Sequence, residues 1–363
     1  MDTRDEKTLK RISRLAFDTL ASVRAGRNPS IDIPVRALSN VFFDEKKRVI
    51  QLGENKQQRL FFHYKQAKVF MQTMLVAQEC KKLIEQGATT SIRDLFYAAK
   101  HTISGTKENT FDEQDESDPV IEDLEVSLDV LREELHLRAD NRGAMVGAMT
   151  IVDSGDTIDL RRMGSGGWSV PSIVEPNRIE FREHECEFIL FVEKGAVWSR
   201  LNEDKFWKTH KCVIVSGGGM AARGTRRLLQ RLVNELKLPL YCVVDNDPWG
   251  FYIYSVIKQG SINLAYESMR LAVPKARFLG LSSKDADEYK YTSMAIDLND
   301  EDRSRIAQIK NYPWFQDKRW QGELETMLQS GRKYEIEALS HRGIRFVTEE
   351  YIPQKIKNRK WIE

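Results

Sequence analysis

Three short, uninterrupted apolar runs in the second half of the chain limit its fold more than any other feature. They are Phe188–Val192, Val213–Val215 and Leu240–Val244. Continuous apolar runs of this length are typical of strands that are buried on both faces, as in parallel sheets. Helical patterns at 224–237 and 249–259 lie between and after these runs. Alternating strands and helices predict an α/β domain with a mainly parallel sheet.

Acidic residues directly follow two of these runs. Glu193 comes after the first run, and Asp245 and Asp247 come after the third. Because ligands of parallel α/β sheets bind beyond the carboxyl ends of the strands, we expect these acids to converge. Three clustered carboxylates need a cation between them, and a site made only of oxygen ligands suits Mg²⁺. The alternative is that each acid caps a helix or lies in a solvated loop.

The first half of the chain is predicted to be mainly helical. Residues 7–25 form an amphipathic helix pattern, which favours packing within its own domain over docking on a partner protein. A strand pair joined by a charged turn is predicted within 40–52. Three helices and then a β-hairpin are expected within 64–160, and this is the order of a winged-helix module.

These patterns predict the organisation of the whole chain. We expect an α+β N-terminal winged-helix (CAP-like) domain followed by an α/β domain. The predicted boundaries are a helix and strand-pair extension at 1–63, the winged-helix domain at 64–160, a glycine-containing linker at 161–182, and the α/β domain with a C-terminal extension at 183–363.

One short helix of the predicted winged-helix domain has two chemically different faces. It is expected to start near Ser91, because Ser91 and Asp94 fit a capping box. Apolar side chains then occupy one face, whereas Arg93, Tyr97 and Lys100 occupy the other. A phenol between two cations suits nucleophilic attack on a phosphodiester. The alternative is an ordinary surface or core tyrosine, and these residues alone favour it.

Charge patterning adds a weaker indication of DNA binding. The formal net charge is only +2, so composition by itself does not indicate a nucleic-acid-binding protein. Four arginines cluster at the start of the helix after a glycine-rich loop, where a helix N-terminus would help to bind phosphate: Arg223, Arg226, Arg227 and Arg231. A solvated helix face explains the same arginines almost equally well. Lys100 is a further candidate for contact with DNA.

Several kinds of protein and site are disfavoured. No apolar run approaches the roughly 20 residues that span a bilayer, and no secretory signal is recognisable, so we expect a cytoplasmic protein. The four cysteines are widely scattered, which disfavours zinc sites and disulfides. Gly219–Gly224 has the spacing of a P-loop, but Thr225 stands where lysine is required, so we do not expect ATP to bind this chain.

The acid motifs and the tyrosine helix together resemble a known family. Val192–Gly195 and Asp245–Gly250 look like the Toprim domain of type II topoisomerases. Ser91–Tyr97 is similar to the Arg-(Asp/Glu)-x-(Tyr/Phe)-Tyr motif of topoisomerase VI A subunits and the meiotic double-strand-break transesterases. The resemblance covers most of the chain, although the loop Gly217–Arg223 lacks the lysine and proline of many relatives and Asn246 replaces a commoner glycine.

This resemblance implies a specific chemistry. Tyr97 would attack DNA and become a 5′-phosphotyrosine, and Arg93 would stabilise the transition state. Glu193, Asp245 and Asp247 would hold Mg²⁺ near the scissile phosphate. The family's A subunits cleave and religate DNA for ATP-dependent duplex passage, which relaxes supercoils and decatenates DNA.

The resemblance also implies partners. These are double-stranded DNA, a second copy of the chain whose acids work with the opposite tyrosine, and a B subunit with a GHKL-type ATPase in an A2B2 heterotetramer. The B subunit would bind the ATP. Two alternatives remain open at this point: a stand-alone meiotic-type transesterase, and a non-catalytic Toprim protein that binds DNA or acts as a scaffold.

Overall fold

The computed structural model describes residues 3–362 and divides into two compact units. The first unit combines the chain up to Val41 with Leu52–Asp140. The second unit combines Phe42–Gln51 with the chain from Asn141 onward. The first unit is mainly helical, and the second contains the principal β-sheet.

Between residues 3 and 138, the chain forms four α-helices and six short strands. In chain order they are α1 (Thr3–Arg24), β1 (Ser30–Pro34), β2 (Val41–Asp44), β3 (Val49–Leu52), β4 (Lys56–Leu60), α2 (Ala67–Gln86), β5 (Thr90–Ser91), α3 (Ile92–Ala99), α4 (Ser117–Leu128) and β6 (Leu137–Arg138). β1 pairs antiparallel with β4, and β5 pairs parallel with β6. The predicted strand pair is confirmed as β2 and β3.

Apolar helix faces build the core of the first unit. Ile12 of α1, Val76 of α2, Leu95 of α3 and Leu124 of α4 are all buried in one cluster. α2 ends before Gly87, whose positive φ of 63° suits a glycine at the end of a helix. α4 ends at Leu128, because Asp129 adopts the left-handed conformation with φ 50°.

The second part of the chain alternates strands and helices. In chain order they are β7 (Ala144–Gly147), β8 (Met149–Asp153), β9 (Asp156–Asp159), β10 (Trp168–Ser169), β11 (Ile179–His184), β12 (Phe188–Val192), α5 (Gly195–Glu203), α6 (Phe206–Thr209), β13 (Cys212–Ser216), α7 (Arg223–Leu236), β14 (Leu240–Val243), α8 (Pro248–Gln259), α9 (Ser268–Leu271), β15 (Arg277–Gly280), α10 (Asp285–Glu288), β16 (Ile296–Asp297), α11 (Asp300–Lys310), α12 (Lys318–Ser330), β17 (Arg332–Lys333) and α13 (Ile352–Lys357).

The principal sheet has six strands in the order β10-β7-β13-β12-β14-β15. β13, β12, β14 and β15 are parallel, whereas β7 and β10 join antiparallel at one side. The three apolar runs of the sequence become neighbouring strands β12, β13 and β14, and all their residues are buried. The prediction of a mainly parallel sheet is therefore confirmed. The sheet as a whole is mixed, because β7 and β10 are antiparallel to their neighbours.

The strands expected to close the winged-helix module lie in the second unit instead. β7 pairs with β13 of the principal sheet, and the β8–β9 hairpin pairs with β11 in a separate three-stranded sheet. Met145 and Val146 of β7 are buried. Local alternation of side chains predicts a strand but does not specify its partner, which explains the difference. Part of the expected linker is also ordered, as β10 and the start of β11.

Two sequence expectations concern the whole described chain. The four cysteines are free and buried: Cys80, Cys186, Cys212 and Cys242. Between residues 3 and 362, no helix has both the length and the apolar character needed to cross a bilayer.

Candidate active site

Two of the predicted acids meet at one edge of the principal sheet. β12 and β14 are adjacent and parallel, with Val192 opposite Val243. Glu193 and Asp245 therefore leave the sheet side by side. The backbone N–H of Glu193 donates to the carbonyl of Val243 at 3.1 Å, and the backbone N–H of Asp245 donates to Glu193 Oε2 at 3.2 Å. The sheet thus brings together residues that are distant in the sequence.

Burial controls the protonation of this pair. Burial, together with the nearby charge of Asp245, raises the pKa of Glu193 to about 8. Burial also raises the pKa of Asp245 to about 6, although its carboxylate accepts a hydrogen bond from the backbone N–H of Ile336 at 2.9 Å. At neutral pH, Glu193 is therefore mainly protonated unless a cation stabilises its charged form.

Asp247 has two roles in the structure. It is the N-cap of α8, because its side chain accepts from the backbone N–H of Gly250 at 2.6 Å. The helix-cap alternative is therefore correct for this acid. Its pKa is nevertheless raised by burial, and its charge raises the pKa of both Glu193 and Asp245. Asp247 can therefore cap α8 and still belong to the carboxylate cluster.

Lys194 is a site residue that the sequence interpretation missed. Its Nζ lies 3.1 Å from Asp245 Oδ2, and Glu335 and Glu337 lie at 3.7 and 3.9 Å. The ammonium therefore serves as the counter-ion of the acid pair in this structure. Its position between Glu193 and a glycine was the available signal, but a lysine beside an acid in the sequence is too common to be informative.

The donor set suits a hard cation, although it is not a complete cage. Among residues 3–362, no group of three or more His, Cys, Asp or Glu side chains is arranged to hold a metal ion. Mg²⁺ is usually bound by one or two carboxylates, with water and phosphate oxygens completing its shell. Glu193 and Asp245, buried side by side with raised pKa values, fit that mode of binding.

The predicted tyrosine helix forms as expected in the first unit. Ser91 caps α3, since its hydroxyl accepts from the backbone N–H of Asp94 at 3.0 Å and donates to its carboxylate at 2.8 Å. Leu95 and Phe96 are buried on the inner face. Tyr97 lies on the outer face with 65% of its side chain exposed, and its ring packs edge-on against Phe96 at 5.1 Å.

The two cations expected beside Tyr97 differ in their surroundings. Arg93 is exposed, and its Nε donates to Gln114 at 3.0 Å. Lys100 is half-buried, donates to the carbonyl of Asp112 at 2.6 Å, and lies 5.2 Å from the centre of the Phe96 ring. α3 therefore positions an accessible phenol and an accessible guanidinium on one surface.

Comparison with known proteins now identifies the family. Residues 188–356 match the model of the Toprim domain shared by the topoisomerase 6 A subunit and Spo11. Residues 68–137 match the type IIB DNA topoisomerase model, and 141–185 match the all-beta domain of the DNA topoisomerase VI alpha subunit.

Curated relatives match the chain almost from end to end. The type 2 DNA topoisomerase 6 A subunit of Pyrococcus horikoshii is 44% identical over 98% of this chain and 95% of its own length. Those of Hyperthermus butylicus and Sulfurisphaera tokodaii are 43% and 41% identical, over 95% and 98% of this chain and 93% and 98% of their own lengths.

This chain belongs to the family of topoisomerase VI A subunits. It is therefore part of a type IIB DNA topoisomerase, and its enzyme class is isomerase. The Toprim match of the topoisomerase VI family spans Glu193, Asp245 and Asp247, and the type IIB match spans Arg93 and Tyr97.

The arginines of α7 are mostly engaged within this topoisomerase chain. Arg231 is 2% exposed, pairs with Glu235 and donates to backbone carbonyls of Val174 and Ile179. Because these partners already satisfy the buried guanidinium, DNA binding by Arg231 would require them to be released, and it stays a prediction. The alternative of a solvated helix face does not describe Arg231, because its side chain is buried.

The other three α7 arginines are also enclosed. Arg227 makes a bidentate pair with Glu175, at 2.8 and 3.1 Å, and Arg223 pairs with Glu267 at 3.0 Å. Arg226 is 5% exposed, and burial lowers its pKa to about 10. DNA binding by Arg223, Arg226 and Arg227 stays a prediction, and their observed partners are within the second unit.

Proposed function

We propose that this chain cleaves and religates DNA as the A subunit of an ATP-dependent type IIB topoisomerase, with Tyr97 as the nucleophile. The observation that supports this role most directly is the placement of Tyr97. Its side chain is exposed on a capped helix, and its hydroxyl has no hydrogen-bond partner among the residues that the structure describes. A phenol held in this way is free to attack an external phosphate.

The proposed step is a transesterification. The Tyr97 oxygen attacks a backbone phosphorus, the bond from phosphorus to the 3′ oxygen breaks, and a 5′-phosphotyrosyl bond forms. The phenolic proton is lost and the departing 3′ oxygen gains a proton, so the balance needs no external reductant or energy source. Attack by the same 3′ hydroxyl reverses the step and religates the strand. Arg93 lies one helical turn before Tyr97 and would neutralise the phosphate oxygens as charge develops.

Glu193 and Asp245 would hold Mg²⁺ in this proposal, and Asp247, which caps α8, would add negative charge beside them. The bound ion would supply positive charge to a phosphate near the scissile bond. Burial strengthens the attraction between a charged carboxylate and a divalent ion, because the local dielectric is low, although it also raises the pKa of both acids. Lys194 occupies one Asp245 oxygen and would move when the ion binds.

The proposal includes an assembly. Two copies of this chain would supply the two tyrosines that a double-strand break needs, with each tyrosine serving the acids of the opposite copy. The ATP would bind a B subunit with a GHKL-type ATPase in an A2B2 heterotetramer, because Thr225 replaces the P-loop lysine in this chain. Action on duplex DNA would place the complex at the nucleoid.

We also infer that α2, α3 and α4 form a DNA-binding module of winged-helix type. The parallel pair β5–β6 and the shared core of these helices support this inference. The β8–β9 hairpin does not supply the wing, since it pairs with β11. The near full-length matches to topoisomerase subunits favour this function over a stand-alone transesterase or an inactive scaffold.

Tyr97→Phe tests the proposed nucleophile. The variant, assembled with the B subunit, ATP and Mg²⁺, should neither relax a supercoiled plasmid nor yield covalent protein–DNA adducts after denaturant is added. Tyr64→Phe is the matched control, because Tyr64 is 95% exposed in the same unit and should be dispensable. Retained relaxation by Tyr97→Phe would remove Tyr97 from the mechanism.

A further inference from the structure

An exposed tryptophan stands beside the acid site, and nothing in the proposed chemistry uses it. Trp249 follows Asp247 by two residues, in the first turn of α8, and 45% of its side chain is exposed. A single exposed apolar side chain is ordinary, but an exposed aromatic ring beside a functional site is a candidate contact for a ligand.

Trp249 is held in place by an arginine of a neighbouring helix. The Arg305 guanidinium of α11 lies 4.6 Å from the centre of the Trp249 ring and 3.9 Å from the centre of the Tyr252 ring. Trp249 and Tyr252 are three residues apart and so share one face of α8. This Trp249–Arg305–Tyr252 stack fixes both the indole and the cation without using the guanidinium's hydrogen-bond donors.

The charge of Arg305 is left without a carboxylate. Its terminal amino group donates to the Gln308 side chain at 3.1 Å, and its buried Nε has no hydrogen-bond partner. Among the described residues, no Asp or Glu lies within ion-pair distance of it. A planar guanidinium that is held rigid and left unneutralised is well suited to bind a phosphate.

α11 also connects the stack to the acid site. Asp302 lies one helical turn before Arg305 and accepts from Lys333 at 2.7 Å. The charges of both Asp302 and Lys333 act on Asp247. The stack therefore lies near Asp247, the acid that caps α8, and all of these residues belong to the second unit.

We propose that the Trp249–Arg305–Tyr252 stack is a DNA-backbone contact that positions the duplex against the acid site. Arg305 binds a phosphate oxygen, and the exposed indole packs against the adjoining sugar or an unpaired base. The inference rests on the proposed function, since it assumes that DNA lies over these acids. Trp249 and Arg305 are positioning residues in this scheme and take no part in bond making.

DNA binding without cleavage tests the stack. Full-length chain with Tyr97→Phe, assembled with its B subunit, is titrated against a short labelled duplex over a range of salt concentrations. Trp249→Ala should weaken binding by about tenfold with little change in the salt dependence. Arg305→Ala should weaken binding and also lower the slope of log Kd against log salt by about one. Arg305→Lys should restore the slope but not the full affinity, because lysine cannot stack as a planar group.

Two controls separate this effect from general damage. Ile344→Ala removes an exposed apolar side chain, and Arg182→Ala removes an exposed guanidinium from β11, which lies in the other sheet. Both should bind DNA like the parent protein, and thermal melting should show that every variant is folded.

The outcomes are distinguishable. The inference is overturned if either Trp249→Ala or Arg305→Ala binds within the range of the two controls, or if Trp249→Ala changes the oligomeric state while DNA affinity stays the same. Failure of the parent protein to bind DNA at all would instead overturn the proposed function.

Discussion

Lys194 and Asp245 form an ion pair of 3.1 Å at the point where a divalent cation is proposed to bind. The ammonium is 28% exposed, whereas the carboxylate is almost fully buried. The lysine is therefore the more mobile partner and the one that can leave. A metal ion at this oxygen competes with an intramolecular cation as well as with protons.

Removal of Lys194 should strengthen metal binding at alkaline pH. Above about pH 9 the carboxylates are charged, and the loss of a competing positive charge should lower the Mn²⁺ dissociation constant by about tenfold. Lys194→Arg keeps the charge and should stay close to wild type. Calorimetric titration of the metal-free variants with Mn²⁺ measures the two dissociation constants. Equal Mn²⁺ affinities in wild type and Lys194→Ala would show that the ion pair does not compete with the metal ion.

Glu193 should make the metal-free protein less stable as the pH rises. Its pKa is about 8 in the folded chain and 4.5 ordinarily. Between these two pKa values, the folded state binds more protons than the unfolded state. Protonated Glu193 therefore contributes its full stability below the ordinary pKa, and this stability is lost as the pH rises through the folded-state pKa.

Glu193→Gln should therefore be more stable than wild type at about pH 9 in a chelator, by about 2 kcal/mol, and the difference should vanish near about pH 4. Chemical denaturation across this range measures it. Glu187→Gln changes an exposed glutamate just before β12 and should show no such trend. A constant difference at all pH values would contradict the raised pKa.

The cap of α3 should contribute to both stability and activity. Ser91→Ala removes the side chain that bonds Asp94, and the free energy of unfolding should fall by about 1 kcal/mol. Plasmid relaxation should also slow, since Tyr97 depends on the same helix for its position. Ser91→Thr retains the hydroxyl and should preserve both properties. Unchanged stability in the alanine variant would mean that the cap is replaced by water.

Arg231 should affect folding but not DNA binding. Arg231→Met leaves Glu235 and two backbone carbonyls without their buried partner, which should lower the free energy of unfolding by about 3 kcal/mol. The salt dependence of DNA binding should match that of wild type at a temperature where both are folded. A lower salt slope would restore the interpretation of Arg231 as a phosphate contact.

Local sequence patterns predicted several strands and helices of this protein and part of its acid site. The apolar runs predicted β12, β13 and β14, and Ser91 predicted the start of α3. The motif of acids after two strands predicted that Glu193 and Asp245 converge, because parallel strands end at a common edge. These inferences succeed because periodicity and capping depend on residues that are close in the sequence.

The tertiary structure alone decided which groups neutralise one another and which strands pair. Arg231 and Arg227 look like a phosphate-binding cluster in the sequence, but Glu235 and Glu175 occupy their guanidinium groups. β7 looks like part of a local hairpin, but it pairs with β13. The physical reason is the same in both cases: burial, ion pairing and strand pairing are set by residues brought together in space, and a single sequence contains no distance between them.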